Sequence, residues 1–353
     1  MILVVGPYSP PVTGQSMAFR AVVHSHDSKE LQLIDTTYFN NRTLSNLRSI
    51  ALILLTFLKG ARFDRVYLSS SRSFLGSFKD LVLLLLSRKR KYKVINHLHG
   101  ADFKTFYDQY PKLLKPILKK AYSAVATSIV LTEGMKNEYS SFPKMQKVVI
   151  PNFYDQEFEN FRLTPKQDMI ITYFSNLICS KGIFDFLEAA RSVHDRIRNV
   201  RFQIAGEFMS DKLMSANAVK EKFDKFLVEN PDVNIDFHQG LKPEMRLGFL
   251  SQSSIFILPT YYPTEGLPLV ILEAMRCGNA IVTTNHNYLA EVINDKNGRL
   301  IEAQNPQQLA NAVLTLISLP DCLLEIQSHN IEEAKSKYPQ VKFVRRVNEI
   351  IAG

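Results

Sequence analysis

Two acids carry the clearest chemical potential in the chain. The stretch "TEGLPLVILEAMRCGNA", residues 264–280, sets Glu265 and Glu273 eight positions apart around an almost wholly apolar run. The preceding "IFILPT" reads as a buried strand, and "YYPTEG" as the turn leaving its carboxyl end. Pro268 suits the first turn of a helix, where its missing N–H costs nothing, and Gly278 suits the C-terminal cap. The predicted helix runs from about Leu267 to Cys277. Glu265 then lies at the helix mouth beside the N–H groups of Gly266 and Leu267, and Glu273 lies roughly 7 to 8 Å along the axis from Pro268. A ligand stretched over that mouth would offer hydroxyls to an acid at each end, and anionic groups to the positive helix end between them. A sugar, a diphosphate and a ribose in series have that layout. The plainer alternative is that Glu265 caps the helix and Glu273 lies on its solvated stripe. Spacing alone leaves both readings open.

A second candidate lies upstream. "YFSNLICSKGIFDFLEAARSVHDRI" reads as strand, loop and helix, with Ser180 as N-cap and Ile183, Phe186, Leu187, Ala190 and Val193 as the buried stripe. Lys181 then stands at a helix start, where a cation is unfavourable unless an anion sits there too. A lysine beside free main-chain N–H groups makes a diphosphate clamp; a lysine pointing to solvent is the alternative. Nearer the N-terminus, "YSPPVTGQSMAF" follows a strand and opens a helix, so Thr13, Gly14 and Gln15 could bring N–H groups to a phosphate. The loop is neither a G-x-G-x-x-G fingerprint nor a P-loop, and no acid stands at the spacing a dinucleotide needs. In "NHLHGADF", His97 and His99 alternate with Leu98 and are expected to face apart. His97 then reads as packed, and His99, beside Gly100, as the one lining a cleft. Facing apart and without a third ligand nearby, the pair is not expected to hold zinc.

These residues need a scaffold, and the chain supplies alternating strands and helices. "ILVVG", "LQLID", "RVYLSS", "KVINHLH", "SIVLT" and "KVVIP" form one series; "MIITYFSN", "VRFQIAG", "NIDFHQG", "IFILPT", "AIVTT" and "GRLIE" form another. Short, unalternated apolar strands separated by helices imply parallel sheets covered on both faces. The expected fold class is α/β, with two doubly wound Rossmann-like domains facing an interdomain cleft: residues 1–155, a linker at 156–164, and residues 165–337. Ligands in such folds bind outside the carboxyl ends of the strands.

Composition sets the bounds. The 353 residues are 46% apolar, enough for two cores. Three scattered cysteines, Cys179, Cys277 and Cys322, point to a reducing compartment rather than a disulfide framework. The apolar runs "IALILLTFL" and "LVLLLLS" are too short to span a bilayer, so a cytoplasmic protein is expected. The net charge of +9 is concentrated early, in "SRKRKYK" and "KLLKPILKKAY". Such runs read as solvated helix ends, or as a basic apolar face for anionic lipid. Nothing resembles a nucleic-acid module.

With these motifs in view, the C-terminal half resembles the retaining nucleotide-sugar glycosyltransferases of group 1 (family 4), which share the GT-B architecture. The resemblance rests on "SKG" and its helix, "FQIAGE", "FHQGLKPEMRLGFLSQSSIFILPTYYPTEGLPLVILEAMRCGNAIVTT" and "NDKNGRLI". It covers roughly residues 168–318 closely and the N-terminal half loosely. It implies that Glu265 and the backbone after it, Gly266 and Leu267, hold the donor sugar, that Glu273 holds the ribose, and that Lys181 binds the diphosphate. The Gly14–Gln15 loop would close over that diphosphate, His99 would face the sugar, and Gly240 of "FHQG" would lie near the base. The last helix, within 338–353, would return to the N-terminal domain. One departure stands out: "SNL" places Asn176 where the family commonly has arginine, so a second positive partner for the diphosphate is missing from that position.

The implied activity is retaining transfer of a sugar from a UDP- or GDP-linked donor. The expected acceptor is a lipid-linked or other oligosaccharide in lipopolysaccharide O-antigen or capsule synthesis, at the cytoplasmic face of an anionic membrane. No Asp-x-Asp motif adjoins a phosphate loop, so no metal or other cofactor is expected. A sugar-nucleotide epimerase, a non-catalytic binding partner and a Rossmann oxidoreductase are the alternatives; the missing dinucleotide fingerprint argues against the last.

Overall fold

The computed structural model describes residues 1–10, 12–60, 62–162, 166 and 168–353. The chain divides into two compact units, Met1–Asn152 with Gln340–Gly353, and Phe153–Pro339. Of the stretch read as a linker, Gln156–Phe158 is a 3-10 turn of the second unit. Residues 163 and 164, and residue 165, where the second domain was expected to begin, lie outside the described residues.

All twelve strand-like runs of the sequence form strands. In the first unit these are β1 (Ile2–Gly6), β2 (Leu31–Asp35), β3 (Arg65–Ser69), β4 (Lys93–His97), β5 (Val125–Val130) and β6 (Gln146–Val149). They pair in the order β2-β1-β3-β4-β5-β6, every pair parallel. Leu3, Val4 and Val5 of β1 are essentially inaccessible, as a strand with helices on both faces requires. The helix Gln340–Ala352 completes this unit: Phe343, Val347 and Ile351 are buried at four-residue spacing, and Arg346 donates to the Val149 carbonyl at 2.8 Å.

The second unit holds β7 (Ile170–Phe174), β8 (Arg201–Gly206), β9 (Ile235–Gln239), β10 (Ile255–Leu258), β11 (Ala280–Thr284) and β12 (Gly298–Ile301). The order β12-β11-β10-β7-β8-β9 is again wholly parallel. The strand order reverses between β7 and β10, so the loops leaving these two strands part and frame a crevice at their carboxyl ends. Both units are therefore doubly wound α/β folds. Among the described residues, no single helix is long and apolar enough to cross a membrane.

Candidate active site at the switch point of the second unit

The crevice between β7 and β10 is bounded by two helix starts. The chain leaves β7, makes the 3-10 turn Cys179–Lys181, and enters the helix Ile183–His194 through Gly182. Gly182 has φ +77, and a Cβ there would lie 2.1 Å from the Pro259 carbonyl, so only glycine lets the two loops touch. The expected buried stripe is present, with Ile183, Phe186, Leu187, Ala190 and Val193 all buried. Ser180 is not the N-cap: its N–H and hydroxyl both donate to Asp211, at 2.8 and 2.6 Å. Gly182 takes the cap position without a side-chain bond, and within the first turn the Asp185 N–H meets its own carboxylate.

The second helix spans Leu269–Arg276, two residues shorter at its start than expected. Pro268 is the N-cap rather than a first-turn residue; its ψ of 129° is extended, not helical. The expected terminus is present. Gly278 has φ +66, its N–H reaches the Met275 carbonyl at 2.9 Å, and the Asn279 N–H reaches Ala274 at 3.0 Å, which closes the helix in a Schellman motif. Pro268, like Gly182, provides no side-chain cap. Two positive helix ends thus open at one switch point.

Lys181 and Glu265, 84 residues apart in sequence, meet there in a direct ion pair. Glu265 is buried, and its carboxylate also accepts from the Thr260 hydroxyl at 3.1 Å. The Lys181 ammonium lies 5.2 Å from the centre of the Tyr262 ring. The loop is braced from behind by Asn287, whose amide donates to the Glu265 and Pro263 carbonyls at 3.0 and 3.3 Å. Asn287 itself holds φ +49, a conformation asparagine tolerates better than most residues. Gly266 and Leu267 are buried between Glu265 and the helix, and the Gly266 N–H meets no acceptor among the described residues. The crevice therefore combines a cation, two helix starts whose N-cap residues provide no side-chain acceptor, and an acceptor carboxylate.

Glu273 is not on a solvated stripe, since it is only 2% exposed. Its Oε1 lies 3.3 Å from Arg246, and the same guanidinium reaches Glu157 at 2.7 Å and Asp155 at 3.4 Å. Burial pushes the Glu273 carboxyl up to about 7, while Arg246 pulls it back and the acids Asp155 and Glu157 add to the rise. Of the remaining expected positions in this unit, Asn176 is exposed after β7. Gly240, with φ +72, follows β9, and a Cβ there would strike the Glu207 carboxylate at 2.1 Å. The structure thus joins Lys181 to Glu265, and leaves Glu273, Asn176 and Gly240 on separate partners. Arg246, Thr260 and Asn287 escaped the sequence reading. A lone arginine opening the apolar run "RLGFL" was the available signal for the first; nothing local announces the other two.

In the first unit the carboxyl ends of β1 to β4 present different chemistry. The β1 loop is pinned by Asp35, which ends β2 and accepts from the N–H groups of Tyr8, Ser9 and Thr37 at 3.0, 3.1 and 2.8 Å, and from the Ser9 hydroxyl. Burial opposes the charge, but the bonds from Ser9, Thr37 and Tyr8 outweigh it and hold the carboxyl below its ordinary range. Thr13 and Ser16 form a capping box, so their N–H groups are occupied, and the Gln15 amide donates to Ser69 at the end of β3 at 2.8 Å. Gly14 begins the helix Gly14–His24 between these capped positions. His97 and His99 do not face apart. Residues two apart on an extended chain share a face, and the two rings stack with centres 4.0 Å apart, His97 at the end of β4. His97 Nδ1 bonds the Tyr67 hydroxyl at 2.8 Å, and both nitrogens of His99 are buried without a partner among the described residues. Burial holds both rings neutral, His97 down to about 3.

Residues 155–337 match the family model described as glycosyl transferases group 1. An uncharacterised glycosyltransferase of Methanocaldococcus jannaschii is 24% identical over 279 residues, covering 75% of this chain and 70% of its own length. A Bacillus subtilis protein named as a teichuronic acid biosynthesis glycosyltransferase is 22% identical over 240 residues, covering 65% of this chain; the match spans only 56% of that relative. The Anabaena protein HepE, solved in complex with UDP and glucose, superposes with a TM-score of 0.76 at 14% identity, covering 100% of this chain and 99% of that one. That likeness concerns the fold and agrees with GT-B. The match covers more than half of the chain and includes both helix starts, Lys181 and both glutamates, so this chain belongs to the group 1 glycosyltransferases.

Proposed function

We propose that the chain moves a sugar from a UDP- or GDP-linked donor to a lipid-linked saccharide, with retention of anomeric configuration. The product would be a bacterial surface polysaccharide such as lipopolysaccharide O-antigen or capsule. The observation that carries this reading is the Lys181–Glu265 pair between two helix starts whose N-cap residues provide no side-chain acceptor. A diphosphate in the crevice competes for the ammonium and meets the helix-start N–H groups, which are already in place. Glu265 is then free to accept hydrogen bonds from sugar hydroxyls, with the Gly266 and Leu267 backbone beside it, while Glu273 accepts from the ribose. The same proposal assigns Gly240 to the base, Asn176, Gly14 and Gln15 to the diphosphate, and His99 to the sugar.

In the transfer, the bond from the anomeric carbon to the diphosphate oxygen breaks, and its electron pair leaves with the phosphate. The acceptor oxygen bonds the same face of the carbon, and its proton passes to a phosphate oxygen. Lys181 and the helix ends stabilise the charge that builds on the leaving group, so no protein nucleophile and no divalent metal are assigned. The uridine option draws support from HepE, solved with UDP and glucose, and the surface-polysaccharide setting from the teichuronic acid relative. The cytoplasmic face of an anionic membrane is the proposed place of work.

A thermal-shift screen of nucleoside diphosphates and their sugars, on the wild type and on Glu273→Ala, tests the reading. One nucleotide should raise the melting temperature of the wild type and do so far less in the variant. No shift with any nucleoside diphosphate would sink it.

A further inference from the structure

The helix Arg42–Leu58 buries Ile53 and Phe57 but otherwise turns polar groups inward and leucines outward. Its buried positions include Ser45, Ser49 and Thr56, at spacings of four and seven, while Leu44, Leu47, Leu54, Leu55 and Leu58 face outward. The inward polar groups are satisfied. Ser45 exchanges bonds with Phe39 at 2.9 Å, Ser49 donates to the Ser45 carbonyl at 2.7 Å, and Thr56 accepts from Gln32 of β2 at 3.0 Å. The outward leucines are exposed, Leu58 to 80%. A helix on a soluble surface has the reverse arrangement.

The neighbouring elements continue this surface. The helix Phe74–Arg90 packs against Arg42–Leu58 and exposes Phe74, Leu75 and Phe78. The helix Lys115–Tyr122 packs on its other side, exposing Ile117, with Leu113 just before it 91% exposed. Arg90 and Arg88 tie the three together through the Phe57 and Lys120 carbonyls. Before the first helix, Tyr38 and Phe39 are exposed, and the Arg48 guanidinium lies 3.8 Å from the centre of the Tyr38 ring. Twelve of the chain's exposed large apolar side chains fall between Tyr38 and Ile117.

Charge identifies the occupant. Residues 36–122 hold seventeen Lys and Arg against four Asp and no Glu; on the three helices Arg42, Arg88, Lys89, Arg90, Lys119 and Lys120 are exposed, and their one acid, Asp80, is buried. Of the four acids, Asp80 is buried on Lys79, and Asp102 and Asp108 face Arg72 and Lys115. A second copy of this face would bring like charges together. A saccharide alone would leave the leucines wet. An anionic bilayer satisfies both features, with apolar side chains below the headgroups and basic ones among them.

We propose that this face docks on the leaflet of an anionic phospholipid membrane, with Arg42–Leu58 lying in the plane and its outward leucines inserted below the headgroups. The helix is roughly 25 Å long, too short to cross. This deepens the membrane-side part of the proposed function, and its test reads binding rather than turnover, so failure would leave the donor reading standing.

The chain contains no tryptophan, so one introduced ring reports alone. Leu58→Trp and Val228→Trp, the latter at an exposed position of the second unit, are titrated with phosphatidylglycerol vesicles and with phosphatidylcholine vesicles. Leu58→Trp should shift its emission to the blue and resist a water-soluble quencher on the anionic vesicles, with affinity at least 10-fold lower on the zwitterionic ones. Val228→Trp should not shift. Replacing Leu47 and Leu54 by serine in the Leu58→Trp chain should weaken binding at least 10-fold without lowering the melting temperature. No shift at position 58, an equal shift at position 228, or a vesicle-independent shift that follows protein concentration would overturn the proposal, the last showing self-association instead.

Discussion

At the end of β2, Asp35 accepts hydrogen bonds from the main chain of three residues. In the second unit, Glu265 and Glu273 meet mainly side chains: Lys181 and Thr260 in one case, Arg246 in the other. Main-chain partners cannot leave without unfolding the loop, so Asp35 is a fixture of its own unit. A lysine and a threonine hydroxyl can be drawn to a ligand, so the Glu265 pairing is exchangeable. The electrostatics differ in the same sense. The carboxyl ends of β1 to β4 carry the uncharged Gln15, Ser69 and stacked His97 and His99, which suit hydroxyls, with Arg72 beside His99 paired to Asp102. The crevice of the second unit carries a cation and two positive helix ends, which suit phosphate.

The largest expected effect opposes the pH responses of the two kinds of carboxylate. Glu273 is raised, to about 7. Its contribution to stability is therefore whole below the ordinary glutamate range and is lost as pH rises from about 4.5 to 7. Glu273→Gln should remove this loss, worth at most about 3 kcal/mol, so the melting temperatures of wild type and variant should diverge with rising pH over that window. Parallel curves would show that Arg246 alone sets the charge. Asp35 is lowered, so its contribution is whole above about pH 4 and is lost as pH falls further.

Next in size is Lys181→Ala, which should reduce turnover about 100-fold or more while leaving the fold stable, measured as nucleoside diphosphate release with acceptor present. Unchanged turnover would remove the exchangeable pair from the mechanism. Asp35→Asn should cost about 2 kcal/mol in denaturant unfolding, because a charged acceptor with main-chain donors is lost. A variant as stable as the wild type would erase the contrast with Glu265. His99→Asn should lower turnover about 10-fold with the nucleotide-induced thermal shift intact; an equal loss of nucleotide binding would assign the ring to the donor instead. The smallest effect belongs to Gln15→Ala, about 0.5–1 kcal/mol from one neutral hydrogen bond to Ser69.

Much of the scaffold could be read from residue order because its causes are local. Twelve short apolar runs became twelve parallel strands, and the stripe Ile183, Phe186, Leu187, Ala190 and Val193 became a buried helix face. Gly278 was legible as a helix end because a left-handed residue there is a local demand. Cap positions were less legible. Ser180 has the chemistry of an N-cap, yet Asp211 takes both its donors from 31 residues away. The histidines misled for a different reason: residues two apart on an extended chain share a face, so His97 and His99 belong on one side with Leu98 on the other, and their rings stack. Asp35 did carry a local signal, an Asx turn onto Thr37, but not its reach back to Tyr8 and Ser9.

The amino-acid order alone therefore determined the two series of strands, the Glu265–Glu273 spacing and the lysine at a helix start, since these depend on patterns a few residues long. Tertiary structure decided that Lys181 finds Glu265 across 84 residues, that Glu273 is enclosed with Arg246, and that the helix Arg42–Leu58 turns its serines inward and its leucines outward. Hydrophobic periodicity names the faces of a helix. Which face is covered depends on what the rest of the chain packs against it, here β2 and the Phe39 loop with hydrogen-bonding groups the serines and threonine could meet.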